Sequence, residues 1–369
     1  MARDKYNLVG GLVFAGGFTL GFKQTGRFNP LAHFEMMEFG TETAKRNIPE
    51  LVFYKDPNTW PTEQYRGATD VVITNAHCSC WSPLGRSMTH GKDSWKTDPN
   101  LQYSLGAIRL FREIRPKVWV WESETQLATK GSEFLWQFTD EALASGYAVS
   151  HVFIDTKFMG LPQQRRRLFV VAHNVAIDWK QNGEPVISLG PYLEQIEPDR
   201  GWGLRPEHVP VAKELKPGDS LRYWWEKIMG QGAKPGPRFV DHRISPDGPM
   251  GTVFGYLPPG YIHWKEERYL GPRELAHICG FPKDWWWPED GVRIVLETAK
   301  GVTPAAARWL GKQVAEALDR AEPIEPQVIK ANFMGQTNKI RDFRQRDEVH
   351  VVHTPEDVRA LSKPDYVEV

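Results

Sequence analysis

Through the first half of the chain, short apolar runs alternate with helical stretches, and this alternation restricts the fold more than any other feature. Leu8–Phe14, Leu31–Glu35, Leu51–Lys55, Asp70–Ala76, Lys117–Glu122, His151–Asp155 and Arg167–Ala172 read as strands. Between them, Thr19–Thr25, Glu38–Asn47, Leu101–Ile114 and Glu133–Ser145 read as helices. Strands alternating with helices predict an α/β fold, a doubly wound parallel sheet whose crossover helices cover both faces. In such sheets ligands bind beyond the carboxyl ends of the strands. A polar residue just after a strand is therefore a site candidate.

Past residue 173 the pattern changes. Proline, glycine, tryptophan and lysine become frequent and regular periodicity fades, as in KELKPGDS and GQGAKPGPRF. The sequence thus divides into a sheet-forming domain over 1–173, a smaller irregular domain over 174–285, a return to the first domain over 286–321, and a polar extension over 322–369. Helical patterns reappear at Pro272–Cys279 and Pro304–Ala321. The extension has one strand-like piece, Glu348–His353, and no role follows from it.

Composition removes several classes. Lys plus Arg equal Asp plus Glu at 46 each, so the chain is not coated in positive charge, although a local basic groove would suffice for nucleic acid. No run of about 18 apolar residues is present, so no membrane-spanning segment is expected. MARDKYNLVGG lacks the apolar core of a signal peptide. Three cysteines, Cys78, Cys80 and Cys279, fit a reducing cytoplasm better than a disulfide framework. Some of the fifteen tryptophans are candidates for stacking on bases or wedging a duplex, while most belong to the core.

Three segments carry chemistry. In DVVITNAHCSCWSPLGR a strand delivers Cys78 into a loop rich in serine, proline and glycine. The thiol there is a nucleophile if its thiolate is stabilised, a structural thiol if buried, or a metal ligand with His77 and Cys80. Zinc would need a further ligand pair, and Cys279 is the only other thiol. In RPKVWVWESETQ a second strand ends at Glu122. In LPQQRRRLFVVAHN, Gln163, Arg165 and Arg167 lead into a third, suited either to a solvated edge or to fixing a phosphate or carboxylate.

Taken in order, these segments resemble the DNA cytosine carbon-5 methyltransferase family. GGLVFAGGFTLGFKQTG is similar to its opening cofactor loop, with Phe14, Gly16 and Gly17 at the matching positions. The acid ending the second strand falls at Glu35 and the acid after the third at Asp56. TNAHCSCWSPLGR aligns with the family's nucleophile loop at Cys78, RPKVWVWES with the segment of the catalytic glutamate at Glu122, and LPQQRRRLFVVA with the Gln-x-Arg-x-Arg segment. RELAHICGFPKDW and AKGVTPAAARWL resemble the two closing motifs. The chain departs from the family pattern at Ala76 and His77, which replace two prolines, at Ser123 and Glu124, which replace Asn-Val, and at Lys300, which replaces an asparagine.

The resemblance implies a Rossmann-like methyltransferase sheet with an irregular target-recognition domain. It also implies S-adenosylmethionine as cofactor and, as partner, double-stranded DNA with a flipped cytosine. Cys78 would attack the base, with Glu122, Arg165 and Arg167 as catalytic partners. No metal is expected, and the protein is expected to be a monomer in the cytoplasm of a bacterial or phage-infected cell. By the same pattern Lys300 lies near the cofactor's reactive end. An ammonium about 4 Å from a sulfonium, at an effective dielectric of about 20, is repelled by about 4 kcal/mol. The repulsion becomes attraction if the transferable group carries a carboxylate, as in carboxy-S-adenosylmethionine, so the sharper expectation is cytosine carboxymethylation. Plain methylation, an inactive DNA-binding relative, an RNA substrate and a zinc-binding module are the alternatives.

Overall fold

The computed structural model describes residues 4–38, 40–82, 94–181, 184–199, 202–232, 241–255 and 260–334. Glu348–His353, the rest of 335–369, and the Pro83–Arg86 end of the nucleophile segment lie outside these residues. Two compact units divide the chain: 1–155, 166–182 and 306–369 form the first, and 156–165 with 183–305 the second.

The first unit is built on an eight-stranded sheet. Its strands are β1 (Tyr6–Gly11), β2 (Phe28–Phe34), β3 (Val52–Tyr54), β4 (Val71–Thr74), β5 (Val118–Ser123), β6 (Ala148–Asp155), β7 (Arg166–His173) and β10 (Val328–Phe333). A separate two-residue pair, β8 (His242–Arg243) and β9 (Tyr261–Ile262), belongs to the second unit. The spatial order β10-β6-β7-β5-β4-β1-β2-β3 makes β1 the strand from which the chain winds first one way and then the other. Such a switch point opens a crevice at the carboxyl ends of β1 and β4. Every residue of β5 is buried, as suits a strand flanked on both sides and covered on both faces. The crossovers carry α1 (Gly17–Lys23), α2 (Thr41–Asn47), α3 (Leu101–Ile114) and α4 (Ser132–Ala144).

Two expectations need correction. The sheet is not wholly parallel, because β7 runs antiparallel to both β5 and β6. The link from Thr156 to Arg165 is too short for a parallel crossover, which takes a dozen or more residues, so the chain must turn back. The first strand stops at Gly11 instead of Phe14, since Leu12 (φ 57°) and Phe14 (φ 50°) take left-handed backbone that breaks a strand.

The second unit contains α5 (Leu189–Leu193), α6 (Val209–Ala212), α7 (Trp225–Met229), α8 (Pro272–Ile278) and α9 (Gly291–Lys300), joined by long irregular stretches. A small core of Leu204, Val211, Ala212, Leu215, Leu221, Ile262 and Tyr269 holds part of it together. Arg268 braces the start of α8 through two hydrogen bonds to buried Glu274, which also accepts from the Gly271 amide. The last long helix, α10 (Pro304–Arg320), leads back into the first unit and on to β10. Among the described residues no helix is long and apolar enough to cross a membrane.

Candidate active site

The carboxyl edge of the first unit's sheet collects most of the residues singled out by sequence. After β1 the chain makes a tight loop in which Leu12, Phe14 and Gly16 (φ 86°) all have positive φ, before α1 begins at Gly17. Gly40, at φ 83°, closes against this loop from the start of α2. A Cβ on it would stand 2.5 Å from the Phe14 carbonyl carbon, so only glycine admits the contact. Glu35 follows β2 and is buried, and its carboxylate accepts a 3.0 Å hydrogen bond from the Val13 amide. Burial raises its pKa to about 8 despite that bond. Asp56 follows β3, is exposed, and caps a short turn by accepting from the Asn58 amide at 2.9 Å.

The residues present fit an adenosyl cofactor. A buried carboxyl with so perturbed a pKa is short of donors, and a ribose diol supplies donors of the right kind. The loop after β1, which ends in Gly16 and Gly17, brings backbone amides up to the same edge.

Cys78 follows β4 at the start of a 3-10 turn, Cys78–Cys80, and is half-buried. His77 caps that turn, its Nδ1 accepting from the Ser79 amide at 3.3 Å. Cys80 points into the core, where burial first, then Asp98 and Cys78, push its thiol up to about 12. Glu122 lies at the end of β5 and is 2% exposed. Because β7 is antiparallel, its first residues reach the same edge as the last residues of β5. Arg167 Nε there meets Glu122 Oε1 at 2.9 Å. Burial opposes the charge on Arg167, but Glu124, Glu122 and Cys78 outweigh it and hold the guanidinium above its ordinary pKa. A thiol, a carboxylate and a guanidinium therefore form one electrostatic group. The part played by strand direction was not visible in sequence; Glu124 stood out there as a departure from the family pattern, but its effect on Arg167 did not.

Arg165 and Lys300 belong to the second unit. Arg165 is buried, and its Nη2 donates to the carbonyls of Ala299 and Gly301, both at 2.9 Å. These two carbonyls flank Lys300, the last residue of α9, so a buried guanidinium holds the backbone on either side of the lysine. Gln163 is also buried and donates to the Cys279 sulfur at 3.2 Å. Among the described residues no group of three or more His, Cys, Asp or Glu side chains could hold a metal ion.

The model of the C-5 cytosine-specific DNA methylase family matches residues 12–201, just over half of the chain. The Type II methyltransferase M.NgoBI of Neisseria gonorrhoeae is 24% identical over 283 residues, covering 73% of this chain and 80% of that protein. M1.HphI of Haemophilus parahaemolyticus is 27% identical over 346 residues, covering 81% and 84%. Among solved structures, the Entamoeba histolytica methyltransferase EhMeth superposes with a TM-score of 0.65 at 15% identity, covering 86% of this chain and 99% of that one. The S. pombe Dnmt2 methyltransferase superposes at 0.59 and 13%, covering 85% and 99%. These structures share the Rossmann-like fold, and the family uses S-adenosylmethionine. The chain belongs to the C-5 cytosine-specific DNA methylase family and is an enzyme of the DNA cytosine-5 methyltransferase class.

Proposed function

We propose that the protein modifies carbon 5 of a cytosine flipped out of duplex DNA, through a transient bond between the Cys78 sulfur and carbon 6. The observation that carries this reading is the Glu122–Arg167 ion pair at the strand edge where Cys78 emerges, with the thiol within electrostatic reach of the guanidinium. A guanidinium beside a thiol favours the thiolate, the form that attacks. Glu122 holds or protonates ring nitrogen 3, so that attack of the sulfur at carbon 6 displaces the carbon 5–carbon 6 π electrons and leaves carbon 5 as the nucleophilic carbon of an enamine. Arg167 fixes the carboxylate for this task. Arg165 keeps the chain around Lys300 in place and takes the family's role toward the base carbonyl or the nearby backbone. When bound, the sulfonium cofactor would supply an electrophilic carbon with a neutral thioether as its leaving group. Transfer of the carbon-5 proton to a solvent base, with expulsion of the thiolate from carbon 6, then frees Cys78. Flipping the base costs a few kcal/mol, met by contacts from the 174–285 target-recognition domain.

Phe14, Gly16, Gly17, Glu35 and Asp56 hold the adenosyl part. The finer proposal concerns the group transferred: Lys300 favours carboxy-S-adenosylmethionine over S-adenosylmethionine, and the product is carboxymethylcytosine. The like-charge repulsion between an ammonium and a bare sulfonium supports it, and the clamped backbone at Ala299 and Gly301 keeps the lysine's base from moving aside. The protein acts as a monomer in the cytoplasm of a bacterial or phage-infected cell.

Nucleoside mass spectrometry of duplex DNA treated with both cofactors in competition tests the finer proposal. Carboxymethylcytosine is expected to dominate, and Lys300→Asn is expected to shift the product toward methylcytosine by about tenfold or more. Methylcytosine alone from the unaltered protein, or a Lys300→Asn variant with the same preference, overturns it.

A further inference from the structure

The C-terminal half of α3 carries an ion pair whose placement helix stability does not explain. Arg109 Nε donates to Glu113 Oε1 at 2.6 Å, one turn on. A cation preceding an anion at this spacing is the less favourable order, and Glu113 sits in the last turn of α3, where the helix dipole disfavours negative charge. Both side chains have partners elsewhere. Arg109 Nη1 donates to the Pro57 carbonyl at 2.5 Å, and its guanidinium lies over the Trp60 ring at 5.3 Å. Glu113 Oε2 accepts from the Thr62 hydroxyl at 2.5 Å. The pair thus grips the chain following β3 at Pro57, Trp60 and Thr62.

That segment needs such a grip. β3 is a three-residue edge strand that pairs only with β2, at Ala32–Phe34, so the sheet alone fixes little beyond Tyr54. Asp56 stands in this stretch, exposed, with its Oδ1 turned to the Asn58 amide. Buried Trp60 packs edge-on against Phe34 at 5.4 Å, and Phe34 immediately precedes Glu35. The grip therefore fixes the segment on which Asp56 stands, and Trp60 anchors it to the core.

We propose that Arg109 and Glu113 are positioning residues for cofactor binding, acting through the segment from Asp56 to Thr62. The proposal rests on the reading that Asp56 holds the adenosyl part. Calorimetric binding of S-adenosylmethionine to the full chain tests it, for Arg109→Ala, Glu113→Gln, Asp56→Asn and the Asp56→Asn/Arg109→Ala double variant. Arg109→Ala is expected to weaken binding about tenfold and Glu113→Gln severalfold, with kcat at saturating cofactor changed less than about twofold. The double variant is expected to bind no more weakly than Asp56→Asn alone, because the grip works through Asp56. A loss of affinity from mere destabilisation would add to that of Asp56→Asn and would track the unfolding midpoint. If Asp56→Asn weakens binding and the α3 variants do not, or if the effects add fully, the positioning role is overturned and the cofactor reading stands. If Asp56→Asn itself binds as tightly as the unaltered chain, the reading beneath the proposal fails with it.

Discussion

A carboxyl group sealed from water with one amide donor is most stable when neutral, and Glu35 is such a group. Its pKa is about 8 in the folded chain against an ordinary 4.5, so the folded state holds a proton that the unfolded state has lost between those values. Stability without ligand therefore falls as pH rises from 4.5 through 8, by up to about 1.4 kcal/mol per pH unit. Glu35→Gln should remove that slope, and thermal melts at pH 6 and pH 8.5 would record it. An unaltered slope in the variant would show that another group carries it. On the proposed reading, donors from a bound ribose would reverse the preference and favour the carboxylate. Cofactor binding near pH 7 should then release a proton, visible in calorimetry as a heat that changes with the ionisation enthalpy of the buffer. The two neighbouring cysteines also separate at this scale. With its thiol pushed up to about 12, Cys80 holds almost no thiolate at neutral pH. Cys80→Ala should keep activity within a fewfold, provided the core accepts the smaller side chain.

At the scale of elements, the strands were legible where burial on both faces writes a continuous apolar run, as in VWVW of β5 or LFVV of β7. Direction was not, because apolar pattern is the same either way. The signal was the short link from Thr156 to Arg165, which holds a single 3-10 turn and no α-helix, and it decides whether Arg167 can meet Glu122. Among the elements of six or more residues, two escaped notice. β10 alternates half-buried with exposed residues at the sheet edge and follows a polar stretch, while the β-branched run Val-Arg-Ile-Val in α9 disguises a helix. Cys78, Glu122, Glu35 and Asp56 could be placed at the sheet edge because each stands at the end of a strand or just after it. Arg109 and Glu113 could not, since a helix-surface ion pair looks the same whether or not a loop lies over it. The support beneath the Cys78 turn was hidden for a similar reason. Trp81 is fully buried, stacked on Phe134 at 5.5 Å and packed on Trp95 at 5.3 Å, and it fills the space left by Gly131. A Cβ at Gly131 would lie 2.5 Å from the Trp81 ring. Gly131→Ala should cost about 1–3 kcal/mol in denaturant unfolding and slow covalent capture of the base by displacing the turn. Unchanged stability would mean that the ring has room to retreat.

Across the whole molecule the charge is balanced, 46 basic against 46 acidic side chains, so affinity for DNA must come from local contacts. Binding to duplex should weaken with salt in proportion to the few phosphates neutralised, whereas cofactor binding should change little over the same range. The second unit is assembled from two stretches of chain, 156–165 and 183–305, and the first of these, which carries Arg165, follows β6 and precedes β7 along the sequence. The account as a whole depends on a covalent bond from Cys78 to the base. The direct measurement is mass spectrometry of the protein after incubation with cofactor and duplex DNA containing 5-fluorocytosine, whose fluorine cannot leave carbon 5 as a proton does. The account predicts a stable protein–DNA adduct that maps to the peptide bearing Cys78 and disappears in Cys78→Ala. Turnover of ordinary DNA by Cys78→Ala, or an adduct on a different residue, would contradict it.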